Sequence, residues 1–193
     1  FIMEKILEEI EEGRRVLLIT ERVKFGTNMM QKIKIHGYGV EMIKGGAAAQ
    51  KMKEQNWYAE ELMKGDLNLI IGTKVINENV NIPPLDSIHL PFPSFTKETE
   101  EQRVGRVRRE LTGSNRKFLK NNGIDWDKPQ PRVHVYTWAC NTDSKGRNYA
   151  ANAAGFRAKL FKKWGFDMDD SSNHIESTHK KRTMRDLFGD EDE

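Results

Sequence analysis

Cysteine is nearly missing from this 193-residue chain: Cys140 stands alone, so no internal disulfide can form and a reducing compartment suits the sequence. Long apolar runs are missing too. VLLIT and LNLIIG are the longest, far below the roughly 20 residues that cross a bilayer, and no signal peptide opens the chain. A cytoplasmic protein without a membrane partner is expected. His36, His89, His134, His174 and His179 are scattered, with no paired His/Cys or Asp/Glu spacing, which gives no metal site. No local Ser/His/Asp grouping has the setting of a hydrolase elbow. There is also no G-x-x-x-x-G-K-[ST] loop and no Asp-Glu pair after a strand, the parts that cradle a triphosphate and hold its Mg²⁺. KGGAAAQK carries glycines, but at the wrong spacing and without Ser or Thr after a lysine.

What is present is enough for a core. Hydrophobic residues make up 37% of the chain, and a net charge of +3 permits a nucleic-acid partner without demanding one. FIMEKILEEIEEG spaces Ile2, Met3, Ile6, Leu7 and Ile10 as a helix and stops at Gly13. RRVLLIT, GVEMIKGG, LNLIIGT, SIHL and RVHVYTWA have the short apolar character of buried strands. Between and after them, KFGTNMMQKIKIHG, AAAQKMKEQNWYAEELMKG, the run through Glu110 and GRNYAANAAGFRAKLFKKWGF form helices. Strands alternating with helices at this spacing predict an α/β domain with a largely parallel sheet. Ligands of such sheets gather at the carboxyl ends of the strands, which groups Thr20, Gly45–Gly46, Thr73 and the loop after Leu90. The stretch from Leu111 to Pro131 is polar and turn-rich and is expected to pass over the surface. Residues 1–166 form the domain; 167–193, with KKR and then GDEDE, form a charged tail with little apolar surface to bury.

One stretch is unusual. EEQRVGRVRRE, Glu100 to Glu110, packs four arginines around Gly105. As one helix it would project Gln102, Arg106 and Arg109 from a single face at i, i+4 and i+7, with Arg103 and Arg108 rotated away. Such a row fits a polyanion such as a nucleoside triphosphate, because guanidinium groups grip phosphate oxygens in pairs and keep their charge. Gly105 weakens the helix by roughly 1 kcal/mol, which makes sense where another backbone or a ligand comes close. The alternative is a solvated helix laced with Glu–Arg pairs. Most aromatic residues (Trp57, Tyr58, Trp138, Phe161, Trp164) follow helical or strand patterns that suit core packing. Phe92 and Phe95 are the better candidates for exposure.

Three segments resemble, in order, the C-terminal RecA-like motor domain of superfamily 2 helicases. QRVGRVRR is similar to the Gln-Arg-x-Gly-Arg-x-x-Arg motif at Gln102, Arg103, Gly105, Arg106 and Arg109. LIIGTKVINENVNIPPLDSIHLP resembles the fifth motif, and VLLITERV the fourth. Gln50 matches a Gln-x-x-Arg element, with Lys53 where arginine is usual. Asn79-Val80-Asn81 replaces the usual Gly-x-Asp, so Asn81 keeps a hydrogen bond to ribose but not a charge. The resemblance spans about residues 3–165 and implies a three-layer sandwich, a parallel sheet with helices on both faces. It also implies ATP and Mg²⁺ held mainly by an N-terminal lobe absent from this chain, with Arg106 and Arg109 as arginine fingers and Gln102 near the same phosphate. Asn79, Asn81, Gly105 and Arg103 would border the nucleotide, with pairing inside the lobe the alternative for Arg103. Thr20, Gly46, Gln50 and Thr73 would touch the backbone of DNA, or RNA, without reading sequence. A monomer is expected, inactive without the other lobe. Its compact build resembles the repair and recombination helicases of phages. A non-catalytic nucleic-acid-binding module and a protein scaffold are the alternatives.

Overall fold

The computed structural model describes residues 1–43, 48–73, 81–92, 96–136 and 149–166, and of 48–54 and 149–154 the backbone alone. Along the chain come α1 (Ile2–Glu11), β1 (Val16–Ile19), α2 (Val23–Ile35), β2 (Val40–Ile43), α3 (Ala48–Lys64) and β3 (Leu69–Gly72). Then follow β4 (Ser87–Leu90), α4 (Lys97–Gly105), α5 (Gly113–Asn121), β5 (Arg132–Val135) and α6 (Tyr149–Lys163). The strands form one sheet in the order β2-β3-β1-β4-β5, and every pairing is parallel. The charged tail after Phe166 and the strand residues expected at 137–139 lie outside the described residues.

Side-chain alternation builds the three layers. Val16, Leu18, Val40, Leu69 and Ile71 turn to one face, where Ile2, Ile6 and Ile10 of α1 and Met29 and Ile33 of α2 cover them. Leu17, Ile19, Ile43, Ile70, Ile88 and Leu90 turn to the other, against Leu62 of α3, Val104 of α4 and Phe161 of α6. Central strands covered on both sides must be apolar at every position, which is why VLLI and LIIG carry no alternation. Each such side chain contributes about 1.5–3 kcal/mol by leaving water. Two glycines are required by geometry. Gly13 takes φ +80° just past α1, and a Cβ on Gly39 would lie 1.8 Å from the carbonyl oxygen of Asp66.

Two segments differ from expectation. α4 does not continue to Glu110 but ends at Gly105. The N–H groups of Arg106 and Val107 bond back three residues, to the carbonyls of Arg103 and Val104, tightening the last turn so that Val104 and Val107 both stay in the core. The polar excursion of 111–131 contains a helix, α5. Thr112 and Asn115 cap its start reciprocally, and Leu119 is its buried residue. The excursion is tied down rather than loose: Arg15 stacks over Trp126 at 5.3 Å, and Arg14 Nη1 donates to the Gln130 carbonyl at 3.0 Å. Among the described residues no helix is long and apolar enough to cross a membrane.

Candidate functional site

Early termination of α4 removes the single face on which Gln102, Arg106 and Arg109 were expected. The buried side of α4 carries Glu100, Arg103 and Val104, while Gln102 points to solvent. Arg103 is only 2% exposed. Its Nη1 donates to the Phe92 carbonyl at 3.2 Å and lies 3.5 Å from Glu100, and its Nη2 reaches Glu21 at 3.2 Å. Arg157 of α6 joins from the other side, donating to Glu100 Oε1 through Nε and Nη2 at 3.0 and 2.9 Å and to Phe92 O at 2.7 Å. Two guanidinium groups on one buried carboxylate thus lock α4 and α6 to the segment leaving β4. Arg103 is thereby tied into the lobe's own packing.

Arg106 and Arg109 follow in the turn beyond the helix. Arg106 is 7% exposed; burial first, and then the Arg109 charge, lower its pKa to about 10. Arg109 is half-buried, its pKa also lowered by burial, and its Nη1 donates to Asn81 Oδ1 at 2.6 Å. Of the residues expected to border a nucleotide, the structure therefore brings Arg109 and Asn81 together. Beside Gly105 there is open space: an added Cβ would meet nothing within 4 Å. No backbone of the described residues requires that glycine. Beside Arg109 opens a cavity of about 770 Å³, lined in part by Arg108, Arg116, Leu119, Trp126 and Lys128.

Lys128 escaped sequence reasoning, lying in a stretch expected to be a surface excursion. Its Nζ donates to the carbonyls of Pro83 at 2.6 Å and Arg109 at 2.5 Å, so it clamps the arginine turn to the segment before β4. Burial draws its pKa down to about 8, against the attraction of Asp86. Asp86 itself is pushed up to about 6, burial outweighing the Arg15 backbone N–H and the nearby Arg14, Lys128 and Arg15 charges.

The threonines sit elsewhere. Thr20 and Thr73 follow the paired residues Ile19 and Gly72 at the carboxyl edge of the sheet, and the Thr20 N–H donates to Gly72 O. Thr20 is fully buried, and its Oγ1 accepts from the Arg22 N–H at 3.1 Å. Its hydroxyl thus holds a local turn at the end of β1. Thr73 is partly exposed at the same edge. Gly46 and Asn79 lie outside the described residues, as does the side chain of Gln50 in α3. Arg109 is thus tied to the segment entering β4, and Thr20 to the end of β3. Phe92 is half-buried, edge-on to Phe25 at 5.6 Å and under Arg22 at 5.3 Å; Phe95 lies outside the described residues. Trp57, expected in the core, is 47% exposed and packs edge-on against Tyr58.

A second polar cluster occupies the opposite face of the sheet, and it corrects the impression that the histidines are scattered. Glu9 Oε2 lies 2.9 Å from His89 Nε2, Glu9 Oε1 lies 2.7 Å from His134 Nε2, and the two imidazoles stack at 4.5 Å. Ser87 Oγ donates to Glu9 Oε2, and Tyr136 OH is 2.6 Å from His89 Nδ1. These hydrogen bonds hold the Glu9 carboxyl far below the usual carboxylate range despite its burial. Burial depresses His89 to about 4. The sequence carried a signal: Glu9 falls in the apolar stripe of α1, and polar residues recur with period two in SIHL and RVHV.

Fold and arginine turn together define a RecA-like α/β lobe with two arginines held beside a helix end. Residues 2–110, more than half of the chain, match the family described as the helicase conserved C-terminal domain. The chain belongs to that family, the C-terminal lobe of superfamily 2 helicases. No curated protein is matched by the sequence. Among solved structures it is similar to T4 UvsW, at TM-score 0.54 and 15% identity over 84% of this chain and 31% of that one. The Mycobacterium smegmatis helicase Lhr bound to ssDNA and AMP-PNP gives TM-score 0.53 and 10% identity over 86% and 19%. S. cerevisiae Dbp5 bound to RNA and ADP BeF3 gives 0.50 and 14% over 82% and 36%. Identities this low show the fold alone, and the chain spans well under half of each of these proteins.

Proposed function

We propose that this lobe completes the ATP site of a helicase or translocase acting on DNA. ATP and Mg²⁺ are held mainly by a second RecA-like lobe, and this lobe closes over them with Arg106 and Arg109. The observation that carries the reading is the arginine turn. Two like charges sit close enough for one to lower the pKa of the other, in a place that also withdraws them from water. An anion arriving there relieves both costs, and the charge growing on a transferred γ-phosphoryl group is such an anion. Asn81, already bonded to Arg109, is poised for a ribose hydroxyl. Gly105, next to open space, lets the facing lobe or the nucleotide approach. Arg103 acts indirectly, through the packing of α4.

Nucleic acid runs along the carboxyl edge of the sheet, over Thr73 and the helix opening near Gly46 and Gln50. Contacts to phosphates there ignore sequence. Nucleotide and strand would then use separate patches of one rigid lobe, so that opening and closing of the cleft moves the strand. The protein works as a monomer in the cytoplasm. The short helical insertion before β5 supports the compact repair and recombination class, and the lobe alone does not hydrolyse ATP.

The test is nucleic-acid-stimulated ATP hydrolysis by the two-lobed protein. Arg109→Ala and Arg106→Ala are expected to lose about 10³- to 10⁵-fold in rate. Rates within about threefold of the parent, with folding intact, contradict the assignment, since an ordinary ion pair is worth only about 0–1 kcal/mol.

A further inference from the structure

The Glu9 cluster lies on the α1 side of the sheet, and the motor-lobe reading leaves it without a task. Three rigid elements build it. The parallel register sets His89 of β4 beside His134 of β5, and Ser87 beside Arg132. Side chains two apart share a face, so all four turn toward α1, where Glu9 interrupts the buried stripe of Ile2, Ile6 and Ile10. A carboxylate in an apolar stripe is costly, and its presence calls for a partner stronger than packing.

We propose that Glu9, His89 and His134 form a binding site for a first-row divalent transition metal, with Zn²⁺ the ion that fits best. One carboxylate oxygen and two imidazole nitrogens are donors that Zn²⁺ accepts at about 2.0–2.2 Å. The ligand atoms all lie within 4.8 Å of one another, and rotation of the two stacked rings toward each other would aim both at one ion. Outer partners are in place: Tyr136 OH on His89 Nδ1, Ser87 Oγ on Glu9, and Arg132 Nη1 at 3.6 Å from Glu9 Oε1. Access comes from the side of His134, which is partly exposed on the last strand of the described sheet. A solvent oxygen can complete a tetrahedron from there.

The protons balance. In the metal-free chain each neutral imidazole carries its hydrogen on Nε2 and donates it to Glu9. When the ion takes the Nε2 lone pairs, each hydrogen moves to Nδ1, and that of His89 is donated to Tyr136 Oη. The bound ion joins α1 to β4 and β5, a link between the first helix and the far side of the sheet.

The test uses the full 193-residue chain, stripped with a chelator and titrated with Co²⁺ and then Zn²⁺. One Co²⁺ per chain is expected, with the intense visible bands of a four- or five-coordinate site, displaced by Zn²⁺. Saturating Zn²⁺ should raise Tm by about 5 °C or more. His134→Ala, the ligand least buried, should weaken binding by about 100-fold or more, and Glu9→Gln likewise, while His36→Ala leaves it unchanged. Far-UV circular dichroism confirms that the variants fold. If either does not, the ¹⁵N shifts of the His89 and His134 rings in the parent chain, with and without Zn²⁺, decide instead. The proposal is overturned if the parent shows no cobalt bands and no shift in Tm, if its imidazole nitrogens do not respond to Zn²⁺, or if His134→Ala binds within about threefold of the parent. Any of these leaves a hydrogen-bonded cluster only. None of these readouts involves ATP, so failure here leaves the motor-lobe reading untouched.

Discussion

Arg103 and Arg109 come from the same eight-residue run, yet their surroundings have little in common. Arg103 is sealed inside, answering Glu100, Glu21 and a carbonyl of the post-β4 segment, with Arg157 on the far side of the same carboxylate. Arg109 sits half-buried past the end of the helix, its Nη1 donating to a neutral amide at the surface. A buried ion pair is weak evidence for net stability, but removing one partner is strongly destabilising. An ion pair at the surface contributes only about 0–1 kcal/mol to folding. The same residue type thus holds the lobe together within the helix and lies half-buried six residues on, past the helix end.

That contrast can be broken from its buried side first. Glu100→Ala strands Arg103 and Arg157 together without their carboxylate, and should cost about 3–5 kcal/mol in urea unfolding. Arg109→Ala should cost no more than about 1 kcal/mol in the same experiment. Equal losses would erase the distinction.

From the outer side, the sharpest probe is the clamp. Lys128→Ala releases the Arg109 carbonyl from Pro83 without touching either guanidinium. A finger misplaced by about 1 Å loses about 100-fold in rate, so ATP hydrolysis by the two-lobed protein should fall by that order while affinity for nucleic acid stays the same. An unchanged rate would show that the turn holds itself.

The smaller effect is a slope with pH. Asp86, beneath the clamp, has a folded pKa near 6 because it is buried, above about 3.9 for an unfolded chain. A carboxyl shifted upward holds its proton more tightly when folded. Its contribution is full below about pH 4 and is lost as pH rises through 6, on the order of 2–3 kcal/mol in all. Asp86→Asn does not titrate, so the parent's stability relative to this variant should decline between pH 4 and 7. A constant difference across that range would mean that Arg14 and Arg15 hold the carboxylate ionised.

Much of the architecture was legible because the apolar runs are short and punctuated. SIHL was bounded correctly at Ser87 and Leu90, and Gly13 and Gly65 mark helix ends with left-handed φ. What local pattern could not show was a balance set by tertiary contacts. Whether α4 runs past Gly105 depends on burying Val104 and Val107 together, and a short polar helix such as α5 becomes visible only through its Thr112–Asn115 cap. At the site, the motif singled out the arginines but not their directions. Arg103 faces inward and Gln102 outward because Glu100 and Arg157, 57 residues apart, meet beneath the helix. Lys128 and the Glu9 cluster join residues too distant in sequence for any spacing rule to connect.

The central claim is that Arg109 is kept for the transition state of phosphoryl transfer. The most direct measurement is the binding of ADP with aluminium fluoride, compared with ADP alone, by the two-lobed protein and its Arg109→Ala variant. The account predicts that the variant loses about 100-fold or more for the fluoride complex, which mimics the transferring group, and less than about threefold for ADP. Equal losses for both ligands, or no loss for either, would contradict it.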